Sequence, residues 1–156
     1  MDKRALLERL TGARADLLSA IAGLSEVEMT TQPVAGAWTI RDVLVHIGGW
    51  AAWDLAGVRG IVAGQPPDFA AIRDVDTFNA DLVAVRSGWS LAQVLAEMRD
   101  AQAALLELLA GLSDEALFRD ESFRGPYWDH LAGWLQVAWE HESEHAAQIR
   151  AWREGK

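Results

Sequence analysis

The sequence contains no cysteine among its 156 residues. Disulfide bonds, thiolate metal ligands and a cysteine nucleophile supplied by the chain are therefore excluded. Basic charge is also scarce, because 14 Lys and Arg residues stand against 23 Asp and Glu residues and give a formal net charge of −9. A nucleic-acid-binding protein uses a basic face to displace counterions from phosphates. We therefore expect neither nucleic acid nor an anionic membrane as a partner.

Long apolar runs are missing as well. No stretch approaches the roughly 18 apolar residues that cross a bilayer, and the charged start MDKRALLERL lacks the features of a signal peptide. These absences predict a soluble cytoplasmic protein. Hydrophobic residues nevertheless make up 51% of the chain, which is enough for a buried core. We expect a single domain over residues 1–156.

Helical periodicity dominates the chain, and no convincing strand pattern is found. Apolar residues at three- and four-residue spacing predict long helices over 3–23, 39–63, 90–110 and 127–153, and a shorter helix over 74–86. Two of these starts carry the residues of a capping box, Thr39 with Asp42 and Ser90 with Gln93. Four long amphipathic helices predict an all-α four-helix bundle.

Two histidines, His141 and His145, lie four residues apart in the string HESEH of the last predicted helix. This spacing places both imidazoles on one helix face, about one turn apart, where they can share a metal ion. The alternative is a solvated helix face that carries two histidines, and the pair alone does not decide between the two. His130 lies three turns earlier, about 16 Å along the helix, and is assigned no role.

The same string is also an HExxH motif, in which zinc proteases use the glutamate to activate a metal-bound water. Those enzymes usually take a third ligand well downstream, and only eleven residues follow His145. They also hold extended peptides at a sheet edge, and the pattern predicts no strands. The protease interpretation is therefore disfavoured.

A third histidine, His46, lies in line with Trp50 and Trp53 on the apolar face of the second helix. A core histidine that is hydrogen-bonded to a polar neighbour is the simpler alternative. However, His46 lies seven residues after the start of its helix, and His145 lies about seven before the end of the last one. If these two helices run antiparallel, His46 faces His141 and His145 at the same depth.

That requirement selects the order of the helices. The second and fourth long helices are antiparallel in an up-down-down-up bundle, which needs a long crossover between the second and the third. The segment 64–89, which contains the short helix over 74–86, is long enough, whereas an up-down-up-down bundle needs no such connection. We therefore predict an up-down-down-up bundle with a helix-containing crossover.

The residues around these histidines resemble a known family. The run WTIRDVLVHIGGW, from Trp38 to Trp50, looks like the W-[ST]-x-x-D-x-L-x-H-x-x-x-W signature of the DinB/YfiT-like superfamily, and WEHESEH resembles its closing H-x-x-x-H. The similarity extends over nearly the whole chain, including the Phe78-Asn79-Ala80 stretch. It looks closest to the branch that includes ClbS/DfsB-like proteins and maleylpyruvate-isomerase-like N-terminal domains.

The resemblance implies an up-down-down-up bundle in which His46, His141 and His145 hold a divalent metal, which is Zn, Ni, Mn or Fe. Members of the family include thiol-dependent transferases and isomerases, hydrolases and self-resistance proteins. Three neutral imidazoles leave a metal with at least one open position, where it can acidify a water or bind a thiol. Because the chain lacks cysteine, any such thiol would be an external low-molecular-weight compound.

Four further residues are candidates for the surroundings of the ion. Asp42 lies one turn before His46 and could orient its second ring nitrogen, although capping is the simpler role. Trp50 and Trp53 follow on the same face and either wall an apolar pocket or belong to the ordinary core. Glu142 follows His141 directly and therefore points about 100° away from the helix face that carries the histidines. This position suits either a solvated side chain or one that supports a metal ligand from outside.

We expect a metal-dependent enzyme, either a hydrolase or a small-thiol-dependent transferase or isomerase, that acts on a small-molecule substrate. The alternatives are a non-catalytic bundle that sequesters a small molecule in a Trp-lined pocket, and a dimeric interaction module whose histidines are vestigial. The helical surface is rich in Ala and Leu, so a homodimer with a two-fold interface is also compatible with the sequence.

Overall fold

The computed structural model describes residues 1–65, 67–69, 72, 74–120, 124–125 and 128–155. This part of the chain forms seven helices and one small hairpin, which are α1 (Lys3–Ile21), α2 (Glu26–Thr31), β1 (Pro33–Ala35), β2 (Trp38–Thr39), α3 (Ile40–Val62), α4 (Val75–Ala84), α5 (Leu91–Gly111), α6 (Asp114–Phe118) and α7 (Leu131–Glu154). The predicted all-α class is confirmed. Within these ranges, no helix has the length and hydropathy that are needed to cross a membrane.

Both predicted capping boxes fix the starts of long helices. At α3, the Asp42 N–H donates to Thr39 Oγ1 over 3.2 Å, and the Thr39 N–H donates back to Asp42 Oδ2 over 3.0 Å. At α5, Ser90 and Gln93 make the same reciprocal pair. Each box satisfies backbone N–H groups that have no partner within the first turn of a helix.

The last helix begins later than predicted. Residue Tyr127, where we expected it to start, lies outside the described residues, and α7 begins at Leu131. His130 is its N-cap, with an extended backbone and with Nδ1 accepting from the Gly133 N–H over 3.0 Å. The histidine that was given no role therefore has a structural one.

The prediction that the chain contains no strands is wrong in one place. Strands β1 and β2 pair in antiparallel fashion just before α3, and Gly36 between them has a φ of +58°, a conformation that glycine adopts without steric cost. Strands of three and two residues are too short to produce an alternating pattern, so hydrophobic periodicity could not predict them.

The four long helices pack side by side around the core. Helix α3 contacts α5 and α7, and α1 contacts the same two helices. His46, near the start of α3, lies beside His141, whereas Gly57, near its end, lies beside Trp134, so that a Cβ added at Gly57 would come within 2.3 Å of the Trp134 ring. Helices α3 and α7 therefore run in opposite directions, as the shared histidine site requires.

Helix α4, within the crossover, lies on the outside of α3. A Cβ added at Gly49 of α3 would come within 2.8 Å of the Leu82 side chain, so the glycine permits the close approach of the two helices. Arg86, just after α4, makes a bidentate ion pair with Glu97 of α5 at 2.7 and 2.8 Å. No residue of α4 is itself buried. The crossover is therefore attached by a few contacts and not by a core of its own.

Candidate metal centre and adjoining cavity

Three imidazoles from two helices meet at one point inside the bundle. His46 comes from α3, and His141 and His145 come from successive turns of α7. His141 Nε2 lies 2.7 Å from His46 Nε2 and 3.0 Å from His145 Nε2, and one ring nitrogen from each residue lies within 4.8 Å of the other two. The structure therefore brings together the three histidines that the sequence singled out.

The proton positions on these rings favour a cation between them. His145 Nδ1 lies 2.8 Å from the Gln148 amide oxygen, which can only accept, so Nδ1 carries the proton and Nε2 presents a lone pair. His141 Nε2 has a single in-plane site for a hydrogen, which cannot serve both of its close nitrogen neighbours. A divalent ion satisfies three converging lone pairs at once, so the chemistry of this donor set fits a metal.

The second ring nitrogen of His46, Nδ1, is buried without a hydrogen bond to any described residue. Asp42, the sequence candidate for this contact, instead accepts from the backbone and the hydroxyl of Thr39 through Oδ2. The structure thus shows Asp42 as a helix cap that makes no hydrogen bond to His46 Nδ1. The orientation of His46 depends on packing, including the Trp38 ring at a centroid distance of 5.0 Å.

Burial keeps the three imidazoles neutral. Desolvation lowers the pKa of His46 to about 3 and that of His141 to about 4, and repulsion from the neighbouring rings acts in the same direction. Burial also lowers the pKa of His145, against an opposing effect of its Gln148 hydrogen bond. Neutral imidazole is the form that binds metal.

We expect the metal-free protein to lose stability as the pH falls from 6.5 towards 4. The three histidines protonate near 6.5 in the unfolded chain, whereas in the folded protein they stay neutral to a lower pH, so the unfolded state binds more protons. Each such histidine costs about 1.4 kcal/mol per pH unit. Urea unfolding in EDTA at pH 7, 6 and 5 measures the loss, and His46→Gln should reduce it by about one such increment. Identical pH dependences in the two proteins would contradict the assignment.

A cavity of about 650 Å³ adjoins the histidines. His46, His141 and Glu142 contribute to its lining, and its largely apolar walls include five aromatic side chains: Trp50, Trp53, Phe69, Trp128 and Trp134. These rings contact one another, with Trp53 and Trp134 at a centroid distance of 5.4 Å. A volume of this size suits a small organic ligand.

The crossover positions Trp50 beside the histidine cluster. Its indole Nε1 donates to Asn79 Oδ1 over 2.8 Å, and its ring packs on Phe78 at a centroid distance of 4.8 Å. On its other side, Trp50 meets the His46 ring edge-on at 6.5 Å. The Phe78-Asn79 pair of α4 therefore holds one wall of the cavity in place.

Glu142 is held by a residue that the sequence reasoning missed. Arg14 of α1 donates to both Glu142 carboxylate oxygens, from Nε at 2.8 Å and from Nη2 at 2.6 Å, and its Nη1 donates to the Met98 carbonyl at 2.6 Å. Arg14 is only 4% exposed. Glu142 is thus the partner of a buried arginine beside His141, so of the two positions that its place on the helix allowed, the supporting one fits and the solvated one does not.

Asp54 is the second residue that was missed. It is buried on α3 and lines the cavity, with the Trp134 indole as the neighbour that favours its ionised form. Burial raises the pKa of this carboxyl to about 7, and the negative charge of Glu142 adds to the effect. The folded protein therefore favours the protonated form of Asp54. The stability that this preference contributes is lost as the pH rises through 7, whereas the contribution of the histidines is lost as the pH falls. The sequence feature that could have drawn attention to Asp54 is the presence of an acidic residue within the apolar run WAAWDLAG.

Comparisons with known proteins identify the fold. The family model described as the DinB superfamily matches residues 9–149. An uncharacterised protein from Escherichia coli UTI89 superposes with a TM-score of 0.84 at 17% identity, covering 99% of this chain and 94% of that chain. The Sibling Lethal Factor Precursor DfsB gives 0.84 at 18% identity, covering 99% and 96%. At such identities the likeness shows the fold alone, and a search of curated proteins finds no significant match.

One neighbour overturns our expectation that nucleic acid is excluded. The colibactin self-resistance protein ClbS, solved in complex with a dsDNA, superposes with a TM-score of 0.82 at 10% identity and covers 97% of this chain and 95% of its own. The exclusion of nucleic acid was therefore wrong, because a protein of this fold binds duplex DNA. Net charge is a sum over the whole surface, and it does not describe the local charge where a partner docks.

The family model spans most of the sequence, and the solved structures share the architecture over nearly their full lengths. The signature residues around His46 and the closing histidine pair lie where the two helices meet. The protein belongs to the DinB superfamily.

Proposed function

We propose that the protein is a divalent-metal-dependent enzyme that holds its ion with His46, His141 and His145 and binds its substrate in the adjoining aromatic cavity. The observation that carries this proposal is the convergence of three Nε2 atoms at the edge of that cavity. When bound, the ion would supply Lewis acidity towards a water molecule or an external thiol. These two chemistries correspond to a hydrolase and to a thiol-dependent transferase or isomerase.

The surrounding residues support this role by what they hold in place. Gln148 fixes the tautomer of His145 so that Nε2 is free to bind a metal. Asn79 holds Trp50 as an apolar wall beside His46, which limits the access of bulk water to the site. Arg14 compensates the charge of Glu142, so that this carboxylate is engaged away from the three ring nitrogens.

A second candidate function is capture of a small molecule without catalysis. The five aromatic side chains in the largely apolar walls of the cavity favour it, because such walls bind ligands with or without a metal. Removal of the metal distinguishes the two functions. Ligand binding that is unchanged in the metal-free protein favours capture, whereas loss of turnover on removal of the metal favours the enzyme.

The direct test is metal analysis of the protein purified without an affinity tag. We expect about one Zn, Ni, Mn or Fe ion per protomer by mass spectrometry of the digested protein. Dialysis against a chelator followed by Zn²⁺ titration should restore the same stoichiometry. Protein that contains less than a tenth of an ion per protomer, and takes up no Zn²⁺ on titration, would contradict the proposal.

A further inference from the structure

Asp54 has an environment that differs from that of the other acidic residues. Among the acids that the structure describes, it is the one that is buried, at 6% exposed. It lies eight residues after His46 on α3, which corresponds to about 12 Å along the helix axis, and it lines the same cavity. The histidine cluster and Asp54 therefore mark two separate points in one binding space.

None of the described Lys and Arg residues pairs with this carboxyl. The neighbour that favours its ionised form is the neutral Trp134 indole. Arg14 is the only Lys or Arg among the described cavity-lining residues, and its guanidinium is already engaged by both oxygens of Glu142 and by the Met98 carbonyl. A buried carboxyl without a counter-ion is costly, and a cationic ligand would remove that cost.

The walls beside Asp54 also suit a cation. Trp53 is its neighbour in the chain, and the Trp134 ring lies 5.2 Å from the Phe69 ring, between centroids. Aromatic faces attract ammonium groups, most strongly where water is excluded. The remaining charged groups of the described lining, Glu140 and Glu144, are exposed and negative, so they repel anionic ligands from the cavity.

We propose that Asp54 binds a protonated amine of the ligand, so that the molecules accepted by the cavity are organic cations with an apolar or aromatic body. This inference rests on the proposed function only in that the cavity is the ligand site. The raised pKa of Asp54, about 7, agrees with it, because an ammonium group would return the carboxyl to its ionised form. An amine anchored there leaves the rest of the ligand directed along Trp50 towards the three histidines.

A matched pair of probes tests the proposal. At pH 8, where the Asp54 carboxyl is mainly ionised, 4-phenylbutylamine and 4-phenylbutan-1-ol are titrated by calorimetry into the protein as purified, and the metal content of the same sample is measured. The two molecules share the same apolar body and differ in charge. We expect the amine to bind at least tenfold more tightly than the alcohol, and the indole N–H resonance of Trp134 to shift during the amine titration. Equal affinities, or an unshifted Trp134 resonance, would overturn the proposal.

Two variants locate the effect. Asp54→Asn keeps the shape and an acceptor for the Trp134 indole, and it should abolish the preference for the amine. Glu107→Gln removes an exposed charge outside the lining of the cavity and should leave the preference unchanged. A preference that survives in Asp54→Asn, or that disappears in Glu107→Gln, overturns the assignment to Asp54. The wild-type Trp134 resonance provides a reading that does not depend on the folding of either variant.

Metal content separates this inference from the proposed function. If the protein holds one ion per protomer but does not distinguish amine from alcohol, the role of Asp54 is wrong and the metal centre stands. If the amine is preferred and no ion is bound, the metal-dependent function is wrong and the role of Asp54 stands.

Discussion

Replacement of His46 by alanine is expected to lower the affinity for Zn²⁺ by about 100-fold or more, because removal of a group that merely supports a ligand already costs 10–100-fold. The two remaining imidazoles both come from α7, so the variant keeps only ligands from a single helix. Competition with a chromophoric chelator, using untagged protein at pH 7.5, measures the change. Circular dichroism of the same samples shows whether the helices are intact.

His130→Ala is the matched control for this experiment. It removes an imidazole from the same chain but not from the cluster, and its cost should be the loss of the α7 N-cap, about 1 kcal/mol of unfolding free energy. Its Zn²⁺ affinity should equal that of the wild type. Similar losses of affinity in His46→Ala and His130→Ala would show that the three-histidine centre is not where the metal binds.

Replacement of Arg14 by methionine is expected to destabilise the protein by about 3–5 kcal/mol, which is the usual cost of leaving one member of a buried ion pair alone. The Arg14 and Glu142 side chains are only 5% and 12% exposed. The variant leaves the Glu142 carboxylate without its cation and removes the Arg14 donor from the Met98 carbonyl. Urea unfolding of the metal-free protein at pH 7 measures the loss.

The fold offers a control pair between the same two helices. Arg150 of α7 pairs with Asp16 of α1, but these side chains are 41% and 47% exposed. Solvent screens such a pair, so Arg150→Met should cost less than about 1 kcal/mol. The double variant Arg14→Met with Glu142→Gln should recover part of the loss, because no uncompensated charge remains. Equal losses in the two single variants would contradict the importance of burial.

The features that the sequence predicted are those that depend on local spacing. The capping box of Thr39 and Asp42 involves residues three apart, and the face shared by His141 and His145 follows from four-residue spacing. His46 could be assigned to the same site because its distance from the start of its helix matched the distance of His145 from the end of the last helix. In contrast, His130 is an unusual residue at an N-cap, so the start of α7 was placed too early.

The features that the sequence missed depend on contacts between distant helices. Arg14 and Glu142 are 128 residues apart, and the periodicity of either helix alone gives no reason to pair them. The position of Glu142 on α7, taken by itself, suited a solvated or a supporting group. Its side chain is largely buried because it pairs with Arg14 of α1. Asp54 appeared as an acid within an apolar run, and only the neighbouring Trp134 shows that its side chain lines a cavity.

The way in which α4 is attached has a consequence for motion. Since no residue of this helix is buried, its detachment would expose little apolar surface and would leave the packing of α1, α3, α5 and α7 intact. Local opening of this kind requires much less free energy than global unfolding. The backbone amides of α4 should therefore exchange with solvent deuterium through a separate, low-energy opening, during which the Trp50 side of the cavity is uncovered while the histidine-bearing helices stay folded.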